Sequence, residues 1–389
     1  MNPFEYVSVP RIVFGCGQIQ RLDSLARHLG SRALLVHNVP DELAARVGEL
    51  LCAEQEKPTL IGQQGEPQVQ QVDQAVEAAR IAGCDMVIGL GGGSAIDAAK
   101  AVAGLLANGG SALDYMEIVG HGRKIAKPAV PWIAVPTTAG TGAEATRNAV
   151  IAHPPRQYKA SIRSEHLLAR VALIDPELSV ALPADVTARC GMDALCQLIE
   201  AYTSRGASAM TDMLCLEGIL LAARSLRRAH ADGRDVEARE DMAMAALFSG
   251  IALTNAGLGA VHGLAAAIGA NFPVPHGTVC AALLPHVIRA NVATMRAESP
   301  PNPALGRYAM VGRALARRAE SSQDRAIAAC QDLILGLARE LGIGPLRPFG
   351  ISESHVAQIV ALARQSSSMK YNPVHLTDEA LSMALLAAI

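Results

Sequence analysis

Aromatic side chains are scarce in this sequence. Phe, Trp and Tyr together make up 3% of its 389 residues, with a single tryptophan, while half of the residues are hydrophobic. The core must therefore be built from Ala, Val, Leu, Ile and Met, which suit helices packed closely on helices or on a sheet. A chain of this length buries a sizeable core without disulfides and favours two domains.

Paired cysteine motifs and strong net charge are also missing. No two of the eight cysteines form a CxxC pair, and the net charge is -2. The cysteine spacing gives no support for a zinc ribbon or a thioredoxin-like site and predicts buried, reduced thiols in a cytoplasmic protein. The charge balance gives no case for nucleic acid or an acidic membrane surface as a partner.

Charged residues are absent over one long stretch, between Asp241 and Arg289. That length would span a bilayer. The stretch also holds two asparagines, three histidines, three prolines and many glycines, which a helix facing lipid does not tolerate. We therefore expect helices buried in a protein core around a polar site. The first residues lack a basic segment followed by an apolar run, so no signal peptide is expected.

The order of predicted elements divides the chain near residue 180. Up to that point strands alternate with helices, which predicts βαβ units and a mostly parallel, Rossmann-like sheet. Beyond it, Ala- and Leu-rich helical patterns dominate. We predict an α/β domain over residues 1–180, an all-α domain over residues 181–389, and a ligand site where the two meet. The predicted strands cover residues 11–15, 32–38, 58–62, 85–90, 131–138 and 169–178.

Two loops have the chemistry of an anion or nucleotide site. In DMVIGLGGGSAIDAAK, Gly91, Gly92 and Gly93 join a strand to a helix, where bare backbone N–H groups and the helix N-terminus attract phosphate. Ser94 stands where it can cap that helix or donate to a phosphate. The spacing is not GxGxxG, so a plain tight turn stays an alternative.

In PTTAGTGAEATRNAVI, residues 136–151, four threonines and two glycines follow a strand. Their hydroxyls and backbone could bind ribose and phosphate oxygens; an ordinary polar loop is the alternative.

These two loops, with the later DAL…IEAY and H…PHG segments, resemble the iron-containing alcohol dehydrogenase family in the same order over nearly the whole chain. The resemblance implies an N-terminal dinucleotide-binding domain, a helical domain with a divalent metal, and a homodimer or higher homo-oligomer. It also implies that several residues bind the cofactor, NAD or NADP: Asn38, Gly92, Gly93, Ser94, Asp97, Thr137, Thr138, Thr141, Thr146, Lys159 and Leu178.

Asn38 ends the second predicted strand, where relatives that prefer NAD often carry an acidic residue. A carboxylate there bonds the ribose hydroxyls and repels a 2′-phosphate. A neutral amide supplies no repulsion, so the choice between NAD and NADP stays open.

The resemblance also implies metal ligands, Fe²⁺ ahead of Zn²⁺, at Asp193, Gln197, His262 and His276. Asp193 and Gln197 are four residues apart on one helix face. The sequence departs from the family at Gln197, where histidine is usual, and at Ala266, where a second nearby histidine is common. Two alternatives follow: Asp193 and both histidines still hold a metal, with Gln197 a ligand or a donor behind the ligands, or the site binds metal poorly and acts through hydrogen bonds.

The predicted activity is hydride transfer between NAD(P)H and a small aldehyde, ketone or alcohol, with Asp193, His262 and His276 at the catalytic centre. Three alternatives remain: a maleylacetate reductase-like enzyme using Arg147 and Lys370 for two carboxylates, a metal-dependent lyase of the dehydroquinate synthase type, and a non-catalytic nucleotide-binding protein.

Overall fold

The computed structural model describes residues 3–51, 56–156, 158–300, 302–317 and 322–389. Its contacts separate two compact units. An α/β unit comprises Val7–Thr138 and Gly142–Ala181, and a helical unit comprises Leu182–Ile389 with Ala139–Thr141 and the described residues before Val7. Cys52, one of the thiols expected to be buried, lies outside the described residues. Cys196, Cys215, Cys280 and Cys330 are buried free thiols, whereas Cys16, Cys84 and Cys190 are only partly buried, contrary to the expectation.

The α/β unit is organised around a parallel sheet with the strand order β1-β8-β5-β4-β2-β3. Its strands are β1 Ile12–Phe14, β2 Ala33–His37, β3 Thr59–Gly62, β4 Met86–Gly91, β5 Trp132–Pro136 and β8 Val171–Ile174. The inner strands β2, β4 and β5 are buried along their whole length. Continuous apolar runs of this kind are what a sheet covered on both faces requires. The predicted α/β domain with a parallel sheet is confirmed.

Helices α1–α5 connect these strands in the α/β unit. They are α1 Leu22–Ala26, α2 Asp41–Glu49, α3 Val69–Ile81, α4 Gly93–Asn108 and α5 Ala112–Tyr115. Helix α4 is the most buried of them, since ten of its sixteen residues are inaccessible. The glycine loop therefore leads into a helix that is packed on most sides by the α/β unit.

A two-stranded antiparallel hairpin was not predicted from the sequence. Strands β6, Asn148–His153, and β7, Tyr158–Arg163, pair with each other and stay outside the main sheet. Their residues alternate between buried and partly exposed. This period-two alternation was the available signal, but the first strand follows so closely on the threonine loop that it was interpreted as part of that loop.

The helical unit confirms the prediction for the second half of the chain. Its helices are α6 Ala184–Thr203, α7 Ala209–Ala231, α8 Val236–Ala256, α9 Ala260–Asn271, α10 His276–Ala297, α11 Ala304–Ala316, α12 Gln323–Glu340, α13 Val356–Ala363 and α14 Asp378–Leu386. They share one aliphatic core. Gly257, with φ 70°, ends α8, and the chain bends by 101° before α9.

The uncharged stretch supplies α9, most of α10 and the latter part of α8. Helix α10 is long and apolar enough to cross a membrane by composition, but 61% of its most apolar window is buried inside the protein. This is the behaviour expected of a core helix around a polar site.

Candidate functional site: a glycine turn and a buried Asp–His cluster

The glycine turn is held in shape by Asn38. Strand β4 ends at Gly91, Gly92 occupies the N-cap position, and α4 begins at Gly93. The backbone N–H of Gly92 donates a 2.9 Å hydrogen bond to Oδ1 of Asn38. A Cβ on Gly91, whose φ is 143°, would collide with that same oxygen, so this position requires glycine.

Ser94 does not cap α4. The N-cap position belongs to Gly92, which makes no side-chain capping bond, and Ser94 lies in the first turn. The expected capping role is therefore wrong. The first-turn N–H groups of α4 are the groups that an anion would satisfy.

The threonine loop is divided between the two units. Thr137 is buried, and its N–H donates to the carbonyl of Gly91 at 2.9 Å, while Thr138 lies against Gly92. Thr141 belongs to the short segment Ala139–Thr141 of the helical unit. In that segment a Cβ on Gly140 would lie 3.0 Å from Cβ of Cys190 on α6. Residues that are neighbours in sequence thus contribute to different parts of the fold.

A buried lysine organises the region behind the glycine turn, and the sequence analysis missed it. Lys100 on α4 is fully inaccessible. Its Nζ lies 2.7 Å from Oγ1 of Thr146, 2.7 Å and 2.9 Å from the carbonyls of Asn148 and Ala143, and 3.3 Å from Oδ1 of Asp97. The other oxygen of Asp97 accepts from the N–H of Val150 at 3.0 Å. Asp97 and Thr146 are therefore engaged in joining α4 to the hairpin.

The other two residues expected at the cofactor lie at the margins of the α/β unit. Lys159 on β7 forms a 3.3 Å ion pair with Glu66. Leu178 is partly buried against the apolar cluster that underlies the sheet.

Glu144 is buried in the α/β unit beside this lysine. Burial raises its pKa to about 7, although Lys100 opposes that shift. A raised carboxyl pKa means that the folded protein binds the proton more tightly than the unfolded chain does. The resulting stabilisation is complete below the unfolded pKa and is lost as the pH rises through about 7.

We therefore expect Glu144→Gln to stabilise the α/β unit at pH 8 relative to the wild type, by about 3 kcal/mol more than at pH 4.5. The measurement is denaturant unfolding followed by the fluorescence of Trp132, which is buried on β5 in the same unit. The exposed Glu177→Gln is the control. Equal effects of Glu144→Gln at both pH values would contradict a protonated, buried Glu144.

The helical unit brings three of the predicted ligands together. Nε2 of His262 on α9 lies 3.4 Å from Oδ1 of Asp193 on α6, and Nε2 of His276, the first residue of α10, lies 3.7 Å from the same oxygen. The two imidazole rings have centroids 5.4 Å apart. Asp193 and His262 are buried, and the His276 side chain is 38% exposed. The cluster therefore has one accessible side.

The environment of Asp193 fits a bound cation. Its Oδ1 is buried and accepts no hydrogen bond from any part of the chain that the structure describes. A buried carboxylate oxygen without a partner is costly unless a cation satisfies it. Burial raises the pKa of Asp193, but His276 and His262 outweigh that effect and bring it below its usual value. The carboxylate form, which a metal ligand requires, is therefore the stable one.

Glu200 orients His262 and was not predicted from the sequence. Its Oε2 lies 2.5 Å from Nδ1 of His262, and its Oε1 accepts from the N–H of Val261 at 2.7 Å. A carboxylate on one imidazole nitrogen fixes the ring so that the other nitrogen faces the cluster. Glu200 follows Asp193 by seven residues on α6, and that spacing places both on one helix face.

Gln197 lies one turn after Asp193, but its oxygen has another partner. Oε1 of Gln197 accepts a 3.0 Å hydrogen bond from the hydroxyl of Ser249 on α8. The same hydroxyl lies 2.8 Å from the carbonyl of Ala246, so its single proton is shared. Gln197 is buried, and the structure connects it to α8.

Cys280 completes the group around the two histidines. It follows His276 by one turn of α10 and is fully buried. Its Sγ lies 3.7 Å from Nε2 of His262 and 3.6 Å from Nε2 of His276. Burial raises the pKa of this thiol well above its usual value, so the sulfur carries its proton when no metal is bound.

Comparison with known protein families assigns both halves of the chain. The family model described as "Iron-containing alcohol dehydrogenase" matches residues 10–176, and that described as "Fe-containing alcohol dehydrogenase family, C-terminal" matches residues 187–389.

Individual relatives agree with this match. Long-chain-alcohol dehydrogenase 1 of Geobacillus thermodenitrificans is 39% identical over 299 residues, covering 72% of this chain and 73% of that protein. The NAD-dependent methanol dehydrogenase of Bacillus methanolicus is 35% identical over 291 residues, covering 73% and 74%. A crystal structure of a 1,3-propanediol oxidoreductase covers both chains completely, with a TM-score of 0.91 and 29% identity.

Proposed function

Because this chain belongs to the iron-containing alcohol dehydrogenase family, we propose that its helical unit holds a divalent metal through Asp193, His262 and His276. The chain is an alcohol dehydrogenase/aldehyde reductase, which transfers a hydride between a nicotinamide cofactor and a small alcohol, aldehyde or ketone. The observation that carries the metal proposal is the buried Oδ1 of Asp193, which accepts no hydrogen bond from the described residues and lies within 3.7 Å of two imidazole nitrogens.

The metal-binding residues act by presenting fixed donors. A bound divalent ion supplies Lewis acidity, which polarises the substrate oxygen while hydride is transferred. Asp193 brings the negative charge, and Glu200 holds the His262 ring with Nε2 toward the cluster. His276 lies on the exposed side, where substrate reaches the cluster. One carboxylate and two imidazoles suit Fe²⁺ and Zn²⁺ alike.

We propose that the cofactor's pyrophosphate binds the first turn of α4, through the N–H groups of Gly93 and Ser94, with Gly92 giving close access. A nicotinamide bound there would supply or accept the hydride. Asp97 and Thr146 act as positioning residues through Lys100. We further propose that the ribose, nicotinamide or adenosine part of the cofactor is contacted by the remaining expected residues, Thr137, Thr138, Thr141, Lys159 and Leu178.

We propose that Asn38 lets the enzyme use both NADH and NADPH. Its oxygen is occupied by the N–H of Gly92, and the amide carries no charge to repel a 2′-phosphate. Asn38→Asp keeps an oxygen for Gly92 and adds a negative charge. We expect this change to lower kcat/KM for NADPH about tenfold or more relative to NADH.

Steady-state kinetics with both cofactors measures that ratio. Asn38→Ala is the control, because losing the bond to Gly92 should impair both cofactors to a similar extent. An unchanged NADH/NADPH ratio in Asn38→Asp would place this side chain away from the 2′-position.

Among the described residues, the two cations considered for a dicarboxylate substrate are already engaged. Arg147 forms a 3.1 Å ion pair with Glu165, and Lys370 lies over the ring of Tyr371. Within the described part of the chain, the ion pairs of the cluster join His262 and His276 to carboxylates, which lends no support to the lyase alternative. Alcohol and aldehyde chemistry remains the function that the geometry supports best.

The decisive experiment combines metal analysis with activity. Protein purified without chelator is analysed for iron and zinc, then assayed for NADH and NADPH oxidation over a panel of aldehydes and ketones. We expect near-stoichiometric metal and activity that chelation removes and divalent metal restores. Full activity in metal-free protein would overturn the proposed metal role, and no turnover of any carbonyl compound would overturn the reductase.

We also propose a cytoplasmic homo-oligomer. The free thiols of Cys84, Cys196, Cys215, Cys280 and Cys330 support a reducing compartment. Exposed Met210, Met213 and Leu220 on α7 support a protein interface. Light scattering in solution tests the oligomeric state.

A further inference from the structure

We propose that Cys280 is the fourth protein ligand of the metal, replacing the imidazole that Gln197 does not supply. The inference rests on the proposed metal role of Asp193, His262 and His276 and adds a thiolate to that set. These four side chains each offer one atom, and the four atoms lie within 4.8 Å of one another. The cluster itself thus offers four donors, and the substrate oxygen would add as a fifth ligand.

Four of the six distances among these atoms are close to those of a tetrahedral site. Metal–nitrogen and metal–oxygen bonds of about 2.0–2.1 Å with a metal–sulfur bond of about 2.3 Å place tetrahedral N/O ligands about 3.3 Å apart and sulfur about 3.5 Å from nitrogen. Oδ1 of Asp193 lies 3.4 Å and 3.7 Å from the two Nε2 atoms, and Sγ of Cys280 lies 3.7 Å and 3.6 Å from them. Movements of a few tenths of an ångström would bring these four distances to the tetrahedral values, and the remaining two pairs of atoms lie within 4.8 Å.

Gln197 is the weaker candidate for this fourth position. One lone pair of its amide oxygen faces the hydroxyl of Ser249 on α8 at 3.0 Å, which leaves only the other lone pair for a metal. A neutral amide oxygen is also a poorer donor to Zn²⁺ or Fe²⁺ than a thiolate. The side chain of Gln197 on α6 therefore has a structural role in contact with α8, and Sγ of Cys280 on α10 is the fourth donor.

Cys196 provides an internal comparison. It is as fully buried as Cys280 and contacts the same ring, but its Sγ lies 3.9 Å from Nδ1 of His262, on the side that Glu200 occupies. Only Cys280 lies on the Nε2 side of both histidines. Of the two thiols, Cys280 is therefore the one near the Nε2 atoms that would bind the metal.

Coordination by Cys280 is a proton-for-metal exchange. The Sγ–H bond breaks, the proton passes to solvent, and a sulfur–metal bond forms with no change in oxidation state. Metals deprotonate a coordinating thiol outright. The thiolate raises affinity for Zn²⁺ relative to Fe²⁺, because sulfur ligands select the softer ion.

Cobalt substitution tests this directly. Metal-depleted wild-type protein is loaded with one equivalent of Co²⁺ under reducing, oxygen-free conditions, and its absorption spectrum is recorded. We expect a thiolate-to-cobalt charge-transfer band in the near ultraviolet, together with the strong visible bands of tetrahedral Co²⁺. The band should disappear in Cys280→Ser and persist in Cys196→Ala. Metal affinity should fall about 100-fold or more in Cys280→Ser.

A double variant separates loss of a ligand from misfolding. Q197H/C280A should regain much of the affinity lost in Cys280→Ala while lacking the charge-transfer band, because an imidazole then takes the sulfur's place. Bound Co²⁺ without the band in wild type, or a band that survives in Cys280→Ser, would overturn the cysteine ligand alone. Failure of wild-type protein to bind Co²⁺, Zn²⁺ or Fe²⁺ would overturn the proposed metal function itself.

Discussion

Asp193→Asn is expected to reduce kcat/KM for aldehyde reduction about 1,000-fold, because Lewis-acid stabilisation amounts to several kcal/mol and each 1.4 kcal/mol is about tenfold in rate. The substitution removes the one anionic oxygen ligand in the cluster and leaves an amide beside two imidazoles. The metal content of the purified variant should fall far below one equivalent. Both quantities, measured on the same preparation, test the role of this carboxylate.

Asp241→Asn is the matched control for that experiment. Asp241 is a buried carboxylate of the same helical unit, but Arg224 and Ser225 satisfy it, with Nε of Arg224 at 2.7 Å. Its loss should lower stability and leave metal content and kcat/KM near the wild-type values. Activity retained in Asp193→Asn would exclude this residue as a metal ligand, whatever its effect on stability.

Lys100→Met is expected to lower the free energy of unfolding of the α/β unit by about 3–5 kcal/mol, the usual cost of breaking a buried ion pair on one side. The methionine fills a similar volume but leaves Asp97 without its cation and removes one of the donors to the carbonyls of Ala143 and Asn148, which the hydroxyl of Thr146 also contacts. Trp132 is the only tryptophan and lies buried in this unit. Its fluorescence during denaturant unfolding therefore measures the effect where it arises.

The double variant K100M/D97N tests the electrostatic part of this explanation. Neutralising Asp97 removes the uncompensated charge, so the double variant should be more stable than Lys100→Met alone. Additive destabilisation by the two changes would show that the ion pair contributes little and that Lys100 acts through its carbonyl contacts.

Local patterns were enough to predict the architecture. Alternating strands and helices up to residue 180, followed by helical periodicity, predicted the parallel sheet and the helical unit. The hairpin at Asn148–His153 and Tyr158–Arg163 was missed because its first strand follows the threonine loop with no turn signal between them. Strand and helix periods are properties of neighbouring residues, which is why they can be read without a structure.

The resemblance of the sequence to its family also implied Asp193, His262 and His276 as metal ligands, and the structure brings these three side chains together. It did not identify Glu200, Lys100 or Cys280, although each follows a predicted site residue by three, four or seven positions on the same helix face. Those spacings recur on every helix and carry no information about which side chains of other helices pack against that face. The contact of Glu200 with His262 joins residues 62 positions apart, so only the packed structure reveals it.

Position 197, where a histidine is expected, also shows what the sequence determines and what only the tertiary structure decides. The sequence establishes that the residue there is a glutamine, and that one expected imidazole is therefore absent. The tertiary structure adds that the glutamine oxygen is bound by Ser249 and that a buried sulfur lies 3.6 Å and 3.7 Å from the remaining histidines. Residue identity is fixed by the chain, but the direction in which a side chain offers its donor depends on the helices packed around it.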